Sequence, residues 1–138
     1  MTRRKGYTLS RASLSALGLI TALCRVGFAA LALGDGAEAH ERFGEALERA
    51  HASQAISLEL LALSGIGACL AEDHAEQERA AVFLTFAMGH EQLPPSYAFA
   101  ARPALDRLEA ELPQEGLTDA REAATTLEEL ERTARQSV

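Results

Sequence analysis

Apolar residues recur at three- and four-residue steps along most of the chain, the spacing of helices with one buried face. No stretch alternates apolar and polar residues as a half-buried strand would. The first run spans 9–33. Leu9, Leu14, Leu17, Ile20, Leu23, Val26, Phe28 and Leu31 mostly fall on one broad face. Gly34-Asp35-Gly36 ends it, because Gly accepts the left-handed position after a helix and Asp35 can cap the next one. The second helix is predicted over 37–51, with Ala39, Phe43, Ala46 and Leu47 inward and Glu and Arg outward. A third follows over 54–71 through Ile56, Leu60, Leu61, Leu63, Ile66 and Leu70. After the turn at Glu72-Asp73-His74, a fourth spans 75–89, carrying Ala80, Val82, Phe83, Leu84, Phe86 and Ala87.

Proline punctuates the remainder. Pro95 suits the first turn of a fifth helix reaching Leu112, Pro103 should kink or divide it, and Pro113 closes it. Two short helices are predicted over 115–124 and 127–135. Thr126 is placed to cap the last one, with Glu129 at the capping-box spacing. The expected organisation is a single domain over 1–138. It comprises a basic arm (1–8), a first helix pair (9–52), a second pair (53–90) and capping helices (94–138).

Composition narrows the class. Ala and Leu dominate the apolar fraction, only 5% of the 138 residues are aromatic and there is no Trp. A core of small and medium side chains suits closely approaching helices. Residues 1–33 hold Arg3, Arg4, Lys5, Arg11 and Arg25 and no acid, whereas the rest hold all 20 acids. An acidic body speaks against direct nucleic-acid binding, which needs clustered positive charge. The basic start and the apolar run 12–24 have the outline of a signal peptide. Arg25 interrupts that run before it is long enough to span a bilayer, and the run continues into a repeat. The expectation is a cytoplasmic protein, not membrane-bound, with Cys24 and Cys69 as reduced core thiols.

Two windows repeat. Val26-Gly27 with Ala30, Gly34, Ala39, Phe43 and Ala46 parallels Ile66-Gly67 with Leu70, Asp73, Ala80, Leu84 and Ala87, the two glycines lying 40 residues apart. This pattern resembles the tetratricopeptide repeat, with Gly36 and His51 standing where that motif usually has an aromatic and a proline. The order of a Pro-started helix, Leu112-Pro113 and a final Thr126-Leu127-Glu128-Glu129 helix is similar to the C-terminal helical-repeat region of large bacterial LuxR-like, signal-responsive transcriptional regulators. The resemblance implies an all-α fold, a short α-solenoid of antiparallel helix pairs closed by C-terminal capping helices. In its packing, Gly27, Ala39, Gly67 and Ala80 let the two helices of a pair nestle, while Phe43 and Leu84 fill the wedge between successive pairs.

Chemistry is sparse. Among His40, His51, His74 and His90 no spacing completes a ligand set, so no metal is expected. Glu41, Glu45 and Glu48 are spaced for ion pairs with Arg42 and Arg49 rather than for acid-base work. Gly65-Ile66-Gly67 reads as close packing inside a helix. No nucleophile elbow or phosphate loop occurs, and the chain reads as a non-enzyme without cofactors. The resemblance implies a concave groove lined by Thr21, Cys24, Phe28 and Leu31 of the first pair and by Leu61, Ser64, Ala68, Ala71 and Glu72 of the second. Such a groove would take a protein or peptide partner, making the chain an interaction module of a bacterial regulatory protein. The alternative is a sensor fragment that binds a small ligand or peptide between helices. Two pairs are few for such an array, so terminal helices or a homodimer must complete it.

Overall fold

A computed structural model describes residues 11–122 and 126–137, and within them the protein is entirely helical. The proposed basic arm lies outside the described residues. Eight α-helices follow one another: α1 (Arg11–Ala32), α2 (Gly36–Ala52), α3 (Ile56–Leu70), α4 (Gln77–Gly89), α5 (Pro95–Ala98), α6 (Arg102–Glu111), α7 (Gln114–Glu122) and α8 (Leu127–Ser137). Each of α1, α2 and α3 packs on its successor; α4 then packs on α6 and α7, and α8 lies against α2 and α3.

The punctuation acts as its chemistry requires. Gly34 adopts φ +85°, and the Asp35 carboxylate accepts from the Glu38 amide at 3.1 Å to cap α2. Gln54 takes a left-handed φ of 55° in the turn into α3, a conformation costing a side-chain-bearing residue about 1 kcal/mol. Asp73 accepts from Ala75 N at 2.9 Å and opens a 3₁₀ turn (His74–Glu76) that precedes α4. Pro103 divides rather than kinks the fifth predicted helix, giving α5 and α6, each with a proline in its first turn. The Glu129 amide donates to Thr126 Oγ1 at 3.2 Å at the start of α8.

α3 is the centre. From Leu58 to Ala68 every residue is buried, because α1, α2, α4, α5 and α8 all press on it. The decisive contact involves Phe43. Its ring, wholly buried, lies edge-on to Phe28 with centroids 4.7 Å apart. It also lies against two glycines. A Cβ on Gly27 of α1 would come within 2.8 Å of the ring, and one on Gly65 of α3 within 2.2 Å. The second window repeats the arrangement, since a Cβ on Gly67 would meet Leu84 Cγ at 2.9 Å. The repeat pairs Gly27 with Phe43 and Gly67 with Leu84 therefore touch in the structure.

The inward face of α2 is as the periodicity predicts, with Ala39, Phe43, Ala46 and Leu47 all buried. α1 differs. Leu14 and Val26, placed inward by the sequence pattern, are 56% and 47% exposed. The helix has more apolar residues than one face can hold, so spacing alone does not say which of them turn inward.

Gly65→Ala should lower the unfolding free energy by about 2 kcal/mol through overpacking against Phe43. Gly18→Ala, on an exposed stretch of α1 with open space around it, should raise it by roughly 0.5–1 kcal/mol. Urea denaturation of both variants checks the contrast, and equal effects would disprove the close packing of Gly65 on Phe43.

Candidate functional site

The residues predicted to line a groove are distributed between interior and surface. Phe28, Leu31, Ala68 and Glu72 come together in one cleft of about 340 Å³, closed on its far side by Pro103, Ala104 and Arg107 of α6. Glu72 forms an ion pair with Arg107 across it. Thr21 lines a different cleft of about 470 Å³, beside Ile56, Ser57 and Tyr97, and donates to the Leu17 carbonyl at 3.0 Å. Cys24, Leu61, Ser64 and Ala71 are buried, and the Ser64 hydroxyl donates to the Leu61 carbonyl at 2.7 Å. Sequence register could not reveal this, because it does not show that the divided fifth helix lies over the α1–α3 side.

The thiols are chemically quiet. Burial pushes Cys24 up to about 12, and burial with the nearby Glu72 charge pushes Cys69 to about 12. Burial and the charge of Arg79 lower the His40 pKa, favouring its neutral imidazole, whose Nε2 is enclosed without a hydrogen-bond partner.

A second constellation joins residues the sequence holds far apart. His51 ends α2, Glu59 sits in the first turn of α3, and Glu131 comes from α8. His51 Nδ1 lies 3.5 Å from Glu59 Oε1 and 3.4 Å from Glu131 Oε2. Both glutamates are buried, at 4% and 3% exposure, while the imidazole stays half-exposed. Burial, and then the charge of Glu131, push the Glu59 carboxyl up to about 7. The trio borders a cavity of about 600 Å³ with Gln54, Ile56, Leu127 and Glu128. Spacing missed it because the last member arrives on a helix 72 residues beyond Glu59.

The outer surface of α1 is the third feature. Ala12, Ser15, Leu19, Ala22, Val26 and Ala29 follow strictly alternating steps of three and four, Leu33 continues the spacing in the turn that ends the helix, and all are exposed. Leu19, Val26 and Leu33 form its large positions, at 43%, 47% and 85% exposure. Among the described residues α1 is the one helix long and apolar enough to cross a membrane, but Ile20, Leu23, Cys24, Gly27 and Ala30 on its other face are packed inside the protein.

No protein-family model matches the chain, and neither curated proteins nor solved structures give a match.

Thiols held near 12 stay protonated at pH 8, so alkylation of Cys69 in the folded chain should be at least about tenfold slower than in urea, and that of Cys24 slower still. Rates followed by mass spectrometry test this, and equal rates would mean the thiols are not sequestered.

Proposed function

We propose that the protein is a tetratricopeptide-like interaction module of a bacterial regulatory protein, acting in the cytoplasm without catalysis of its own. In this reading helix pairs α1–α2 and α3–α4 stack as a short antiparallel solenoid capped by α5 to α8. The parallel contacts Gly27–Phe43 and Gly67–Leu84 support that stacking, since the same small-against-large contact recurs in both pairs.

One observation carries the binding reading: the uncovered stripe on α1. Apolar positions alternating at three and four residues keep one seam facing a neighbouring helix, with Leu19 and Val26 as knobs between the small Ala22 and Ala29 and Leu33 closing the seam in the turn beyond α1. The occupant is an α-helix of a partner protein with acids flanking its own apolar stripe. α1 carries Arg11 and Arg25 and no acid, so a second copy of α1 offers no charge complement, whereas an acidic helix does. The Phe28–Leu31–Pro103 cleft supports a second, weaker reading, uptake of a small apolar ligand or peptide side chain between α1, α3 and α6.

A synthetic helical peptide with leucine at the seam positions and glutamate beside them should bind the monomeric chain. Val26→Asp, at an exposed site, should weaken it about tenfold or more with helicity unchanged. Lysine flanks in place of glutamate should also weaken it. Anisotropy titration with sedimentation measures all three. Binding indifferent to Val26→Asp would overturn the reading. So would a native dimer that Val26→Asp dissociates, or uptake by anionic vesicles without peptide binding.

A further inference from the structure

Putting two carboxylates in a protein interior without a cation is costly, and each needs either a proton or a counter-charge. Among the described residues lining the cavity beside Glu59 and Glu131, no Lys or Arg supplies one, and the basic group there is the half-exposed His51 imidazole. Glu131 Oε2 is also enclosed without a hydrogen-bond partner, although His51 Nδ1 lies 3.4 Å away. The imidazole nitrogen and the carboxylate oxygen are thus close without a well-aligned hydrogen bond between them.

We infer that His51, Glu59 and Glu131 form a binding site for one divalent first-row transition cation, zinc being the probe of choice, which fastens α8 to the α2–α3 turn. One ligand atom from each residue lies within 4.8 Å of the other two. Ligands about 2.1 Å from a tetrahedral centre are separated by roughly 3.4 Å. The two distances from His51 Nδ1, 3.4 and 3.5 Å, match that edge. One imidazole nitrogen with two carboxylate oxygens is a donor set that suits zinc and its neighbours better than calcium, which prefers oxygen alone. The half-exposed His51 and the adjoining cavity provide an entry path, and water or the rim residue Glu128 can fill the fourth position.

The elements explain why three helices are needed. His51 comes from the last turn of α2 and Glu59 from the first turn of α3, so the short connection through Gln54 sets two ligands side by side. Glu131 joins only when α8 docks, so metal occupancy and docking of the C-terminal helix are linked.

The test uses the untagged full-length chain, stripped with a chelator and dialysed. Zinc added at neutral pH should bind one per chain by calorimetry and raise the thermal midpoint. Cobalt should give the visible absorption of a four-coordinate mixed nitrogen–oxygen site. His51→Gln alters a half-exposed position and should fold, as circular dichroism will confirm; it should weaken zinc about a hundredfold. Glu131→Gln should do the same, while Glu128→Gln retains more than a tenth of the native affinity. Absence of zinc uptake by the folded native chain would overturn the proposal, leaving a shared proton as what holds the acids together. Uptake unaffected by His51→Gln and Glu131→Gln would overturn it too.

Discussion

The ring of Phe43, pressed against two glycines, sets how closely three helices approach. Gly27 and Gly65 stand on different helices, and each leaves a space that a single methyl group would occupy. With the ring in that space, α1 and α3 both lie close against α2, and α3 acquires the nearly complete burial that makes it the central rod. Interiors packed to this density tolerate little change of volume, so the geometry is set by a few small side chains rather than by many apolar ones.

The same economy explains the weak chemical signature of the chain. Small side chains give close helices, and close helices leave few polar groups inside. Among the described residues the buried charged groups are Glu59 and Glu131, and both face His51 at one end of the bundle. The two surfaces with scope for recognition, the α1 stripe and the α6-covered cleft, lie on the remaining sides of α1 and α3. Acids paired with Arg42 and Arg49 along the outer face of α2 are partly exposed, and such pairs contribute little to stability.

Local structure could be read from the chain alone. Period and punctuation placed the helices to within a few residues. Gly34, Asp35, Pro95, Pro103 and Thr126 act in the turns where their backbone preferences put them, because those preferences need no distant partner. The small positions Gly27 and Gly67 and the large positions Phe43 and Leu84 were legible for a related reason, as two copies of one pattern. That each glycine meets the large residue of its own pair was not, since the repeat places those side chains between successive pairs. Tertiary structure alone decided which side of α1 turns inward, since that helix is apolar around most of its circumference and its period cannot choose. It alone laid α6 over Phe28 and Leu31, and carried Glu131 across the fold to Glu59 and His51. Those outcomes depend on how whole helices exclude water against one another, an energy summed over surfaces that no local run of residues contains.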